Sequence, residues 1–89
     1  CHIACDDTKK FGVIEKLARQ FGAILPAEQI NLIDGVRITT KKGWCLIRAS
    51  NTEGALVVRA EGQDNNSLDE FISLIKSQLA SADIIWEGP

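Results

Sequence analysis

In DDTKKFGVIEKLARQFG the apolar residues Phe11, Ile14, Leu17, Ala18 and Phe21 recur at steps of three and four. That spacing predicts one face of an α-helix, with Asp6, Asp7 or Thr8 as its N-cap and Gly22 near its end. Pro26 has no amide to donate and restricts Leu25, so AILPAEQ reads as a connector. INLIDGVRITT gives two short extended pieces about Asp34-Gly35, and in the second Val36 and Ile38 alternate with Arg37 and Thr39. Lys42-Gly43 supplies a tight turn into WCLIRA, and ALVVRAE is the strongest strand pattern in the chain. After the loop GQDNN, SLDE reads as a capping box in which Ser67 accepts from the amide of Glu70 while Glu70 reaches back. Leu68, Phe71, Ile72, Ile75 and Leu79 carry the helical period to about Ala82, and the tail ADIIWEGP reads as either a short extended piece or a frayed end.

The order helix, three or four strands, helix predicts an α+β domain: an antiparallel sheet of about four strands with two helices packed on one face. Its 89 residues form a single domain, 1–89, whose core is worth about 3–5 kcal/mol net and leans on neighbours. The chain has no methionine and opens on CHIACDD, which reads as an excised or processed segment. The net charge is −2 and the lysines and arginines are scattered, whereas nucleic-acid phosphates are met by a clustered basic face. No apolar run approaches the roughly 20 residues of a membrane span, and no signal peptide is visible. Three cysteines, an odd count, favour a reduced, cytoplasmic compartment over a disulfide scaffold. Cys45 reads as a small buried hydrophobe. Cys1, His2 and Cys5 make an incomplete set for a zinc site, which needs four ligands, so no metal is expected. His2 has no partner that would make it an acid or base, and Trp44 and Trp86 read as packing residues.

One connection is longer than closure requires. Two residues suffice for a hairpin, yet RASNTEG, Arg48 to Gly54, separates WCLI from ALVV. Hydroxyls, an asparagine amide and turn N–H groups can converge there into an anion-binding concavity. Arg48 adds a planar fork of donors that matches phosphate or carboxylate oxygens in pairs. A strand follows the loop, so no helix N-terminus lends its dipole, and the same residues also serve as ordinary turn formers. Arg59, one strand beyond, either lines the same mouth or pairs with Glu61 or Glu53.

DGVRI followed by GWCLIRASNTEGALVVRAEG resembles the C-terminal signature of the alpha-D-phosphohexomutases, the phosphomannomutase and phosphoglucomutase enzymes. The resemblance is tight from about Ile33 to Gly62 and loose over the rest. It implies a fold similar to the TATA-binding protein, with no DNA-binding role attached, in the C-terminal (fourth) domain of a larger enzyme. Carried over position by position, Arg48, Ser50, Asn51 and Thr52 would contact the phosphate of a hexose phosphate, with Arg59 and Glu53 secondary. Gly54 stands where the family usually has proline, which implies a less rigid loop exit. The phosphoserine and magnesium that perform phosphoryl transfer in such enzymes would lie in other domains of the parent chain. No catalytic residue, cofactor or metal is therefore expected here, and the isolated chain is expected to be inactive. A stand-alone small-ligand or protein-binding regulatory module is the alternative.

Overall fold

A computed structural model of the chain describes residues 1–88. Its elements are β1 (His2–Ala4), α1 (Lys10–Ile24), a 3-10 turn (Ala27–Gln29), β2 (Ile30–Asn31), β3 (Val36–Thr40), β4 (Gly43–Ala49), β5 (Ala55–Gly62) and α2 (Asn65–Ser81). The strands form one sheet in the order β1-β5-β4-β3-β2, with every neighbouring pair antiparallel. The α+β architecture is the expected one. The fifth strand is β1, which three residues are too few to betray by periodicity. It forms because Ile3, opposite Leu56, has the core to enter.

Alternation along the strands turns Val36, Ile38, Cys45, Ile47, Leu56 and Val58 to the inner face, where all are buried. Val13, Leu17 and Phe21 of α1 and Phe71, Ile75 and Leu79 of α2 close that face into one core. The helices touch each other through Gln20, whose Nε2 donates to the carbonyl of Gln78 at 2.8 Å and to its Oε1 at 2.9 Å. The outer face carries Arg37, Trp44, Leu46, Arg48, Arg59 and Glu61. In register, Leu46 lies between Arg37 and Arg59, and Trp44 lies opposite Glu61. Arg37 stacks on the Trp44 ring with its guanidinium 4.5 Å from the centroid, so Trp44 packs on the open face and Trp86, half-buried, against the core.

The buried stripe of α1 is Lys10, Val13, Leu17 and Phe21. The expected Phe11 is 60% exposed. Steps of four and three back from Leu17 fall on Val13 and Lys10, so the helix turns a lysine inward. None of the expected side-chain N-caps is used there: Lys9 holds the cap position, and the Asp6 carboxylate instead accepts from the amide and hydroxyl of Thr8, each at 3.0 Å. At the other end α1 runs past Gly22 to Ile24 and stops at Leu25, forced extended by Pro26.

The second helix starts earlier than the SLDE capping box would have it. Its N-cap is Asp64, whose carboxylate accepts from the amide of Ser67 at 2.7 Å. Glu70 faces out and meets Lys42 at 2.9 Å. An aspartate suits the cap better than a serine because its charge also meets the positive end of the helix. At the C-terminus Asp83 takes a positive φ of 64°. The amide of Ile84 then returns to the carbonyl of Leu79 at 2.8 Å and that of Asp83 to Ala80 at 3.0 Å, which is a Schellman closure. It turns the tail back, so that Ile84 and Trp86 pack on the core rather than forming a strand or fraying.

The two readings of the α2 N-terminus predict different mutants. Asp64→Ala is expected to lower the melting temperature at pH 7, whereas Glu70→Ala, removing only an exposed pair, is expected to change it little. Hydrogen bonding from Ser67 holds the Asp64 carboxyl below its ordinary range. Its contribution is therefore complete above the unfolded carboxyl value of about 4 and lost as pH falls through the lower folded one. Thermal melts from pH 7 to pH 2 should show the wild-type advantage over Asp64→Ala vanish in acid; an advantage independent of pH would contradict the charged cap.

Candidate functional site

The connection between β4 and β5 is a compact loop held from within. The Ser50 amide donates to the carbonyl of Ala55 at 2.9 Å and closes the loop at its base. Ser50 is buried, and its hydroxyl oxygen accepts from the amides of Glu53 at 3.2 Å and Thr52 at 3.4 Å. A serine hydroxyl that caps its own turn in this way is a common local motif. Among the described residues the hydroxyl proton has no acceptor. Asn51, Thr52, Glu53 and Gly54 are exposed, and among the described residues the amides of Asn51 and Gly54 have no hydrogen-bond acceptor.

Beneath the loop lies a residue that the sequence reading passed over. Lys10, 5% exposed, sends its ammonium from the first turn of α1 to the carbonyl of Ser50 at 2.7 Å and that of Glu53 at 3.0 Å. The Asp7 carboxylate takes a third contact at 2.8 Å. An ammonium has three protons to donate, and burial demands that they find acceptors. The signal available in the sequence was the stripe itself: Lys10 shares the period of Val13, Leu17 and Phe21, where a lysine is out of place without partners. The loop exit, expected to be loose at Gly54, is also tied, because the Cys5 amide donates to the Gly54 carbonyl at 2.9 Å.

Arg48 stands at the loop's threshold, on the outer face opposite Val57. Gly35 (φ 76°) is packed so closely against it that a Cβ there would come within 2.7 Å of the Arg48 Cβ and 2.4 Å of the Ile47 carbonyl oxygen. The Asp34-Gly35 turn thus leaves Arg48 the room to stand where it does. Arg59 lies on the same face opposite Leu46, two residues further from the loop. Among the described residues neither arginine is in an ion pair, so the pairing of Arg59 with Glu61 or Glu53 is not formed. The structure brings Arg48, Ser50, Asn51 and Thr52 to one rim and leaves Arg59 diagonal to it.

The cysteines and His2 do not come together. Cys5 and Cys45 are buried and Cys1 and His2 are exposed. Burial pushes the Cys45 thiol up to about 11, and burial followed by the neighbouring Asp6 charge raises that of Cys5, so both are poor nucleophiles at neutral pH.

The domain is thus a helix-backed antiparallel sheet with an exposed polar loop between β4 and β5 at its rim. Comparison with known proteins gives the lineage. The sequence model of the family described as phosphoglucomutase/phosphomannomutase, C-terminal domain, matches residues 3–77. A phosphomannomutase/phosphoglucomutase of Pseudomonas aeruginosa is 37% identical over 84 residues, which are 92% of this chain and 17% of that protein. A phosphoglucosamine mutase of Methanococcus maripaludis is 35% identical over 82 residues, 88% of this chain and 18% of its own. The crystal structure of a phosphoglucomutase/phosphomannomutase family protein from Burkholderia thailandensis superposes with a TM-score of 0.75 at 25% identity, over 93% of this chain and 17% of that one. The chain belongs to the family of phosphoglucomutase/phosphomannomutase C-terminal domains. It spans less than a fifth of the length of these relatives.

The internal bonding of the loop can be tested by stability alone. Ser50→Ala removes the acceptor of two amides in a buried setting and is expected to cost about 1–3 kcal/mol in urea denaturation. Asn51→Ala, at an exposed position, is expected to stay within about 0.5 kcal/mol of wild type. Equal effects would mean that the Ser50 hydroxyl does not hold the turn.

Proposed function

We propose that this chain is the substrate-phosphate-binding domain of a larger hexose-phosphate mutase, an isomerase that moves a phosphoryl group between the 1- and 6-positions of a sugar. The observation that carries the reading is the rim where Arg48, Ser50, Asn51 and Thr52 stand together, with two loop amides free of acceptors. Arg48 presents paired donors to a phosphate, and the hydroxyls and amides supply the neutral remainder of the cradle. Transfer between two positions of one sugar depends on placement and charge stabilisation, and a fixed grip on the nonreacting phosphate supplies placement. The sugar must be held in either orientation, which favours recognition of phosphate over recognition of one sugar edge. The relatives are named for mannose, glucose and glucosamine phosphates, a spread of sugars that suits a grip on their common group.

The phosphoryl donor and the magnesium implied by the resemblance belong, on this reading, to other domains of the parent chain. Among the described residues no group of three or more His, Cys, Asp or Glu side chains is placed to hold a metal ion, so no residue of this chain is assigned to one. No helix among them is long and apolar enough to cross a membrane, and a cytoplasmic location goes with phosphorylated sugars as substrates.

Arg48→Lys in the full-length enzyme keeps the charge but cannot make two parallel bonds to one phosphate. A charge-assisted bond is worth about 1.5–3 kcal/mol, so kcat/KM is expected to fall about ten- to hundredfold. Wild-type kinetics would reduce Arg48 to a solvated strand-end residue. The 89-residue chain by itself, supplied with magnesium, is expected to turn over no glucose 1-phosphate. Product above that of a protein-free control in a coupled assay would overturn the division of labour between domains.

A further inference from the structure

We propose that Lys10 is a positioning residue for substrate phosphate: it orients two peptide groups of the loop so that the amides of Asn51 and Gly54 face the anion. The proposal rests on the phosphate-anchoring reading above and adds to it a residue on the opposite side of the loop from the ligand. The carbonyl of Ser50 and the amide of Asn51 belong to one planar peptide unit, as do the carbonyl of Glu53 and the amide of Gly54. In a trans peptide the C=O and N–H point in opposite directions. Lys10 draws both carbonyls inward, at 2.7 Å and 3.0 Å, so the two following amides turn outward. They are the loop amides that lack an acceptor, while those of Thr52 and Glu53 are occupied by Ser50.

The ammonium does not touch the ligand itself. It is 5% exposed, roofed by the loop, and its remaining proton goes to Asp7. Its effect on phosphate is exerted through the orientation of the peptide dipoles, which are set before the anion arrives and need no reorganisation on binding. Without the two inward bonds, the 50–51 peptide loses the partner of its carbonyl and the 53–54 peptide keeps only the Ala55 amide, which donates to the Glu53 carbonyl at 2.9 Å, so binding must then order the loop further.

The test is steady-state kinetics on the full-length mutase with glucose 1-phosphate, together with thermal melts, for Lys10→Met, Lys10→Gln and Arg48→Gln. Lys10→Met keeps the apolar stem and removes every donor, and is expected to raise KM about tenfold while kcat stays within about threefold. Lys10→Gln retains one or two donors and is expected to recover part of that loss. Should Lys10→Met fail to fold, the Gln variant decides by the same measure, with a KM about threefold above wild type expected. A folded Lys10 variant with wild-type KM and only a lowered melting temperature would show a purely structural lysine and overturn the proposal. Arg48→Gln separates the two levels. If it raises KM and the Lys10 variants do not, only the role of Lys10 fails. If it leaves KM unchanged, the anchoring reading fails and takes this inference with it.

Discussion

An ammonium taken out of water must find acceptors for all its protons, and at Lys10 it finds them on two other stretches of chain. Its stem belongs to α1, its carbonyl partners are Ser50 and Glu53 in the β4–β5 loop, and its carboxylate partner is Asp7 in the turn after β1. Those acceptors fix the loop over the start of the helix and fix the rotation of the helix that brings Val13, Leu17 and Phe21 to the sheet. The Cys5 amide secures the same loop from β1 through Gly54. Burial of one charge thus joins the packed side of the domain to the β4–β5 loop at its rim.

The rest of the architecture follows from one-sided burial. Both helices lie on the inner face, where one core contains the apolar residues of sheet and helices. The outer face keeps Arg37, Arg48 and Arg59, and the loop between β4 and β5 keeps the exposed Asn51 and Thr52. Anion recognition elsewhere often borrows a helix N-terminus. Here the loop leads into β5, so the proposed phosphate grip would rest on an arginine, hydroxyls and turn amides. Gly35 contributes by what it lacks, since a side chain there would collide with the Ile47 carbonyl and the Arg48 Cβ.

Much of the domain was legible along the chain because its strongest elements are locally encoded. The α1 and α2 periods, the alternation in β3 and β5, and the punctuation of Pro26 and Gly35 each express a local steric or periodic rule. RASNTEG was conspicuous for the same reason: it exceeded what a hairpin requires. The capping assignment for α2 failed where two local rules competed. Asp64 and Ser67 can both cap, and the helix chose the charged residue three positions earlier.

The sequence by itself determined the helices, the main strands, their antiparallel order and the loop that follows Arg48 and holds Ser50, Asn51 and Thr52, because each depends on residues close together in the chain. Tertiary structure alone decided that His2–Ala4 would pair with β5, since three residues become a strand only when an edge and a core await them. It also decided which side of α1 is buried and that Lys10 lies under a loop 40 residues away. No local pattern specifies that contact, because its acceptors are backbone carbonyls, which every residue carries and no sequence distinguishes.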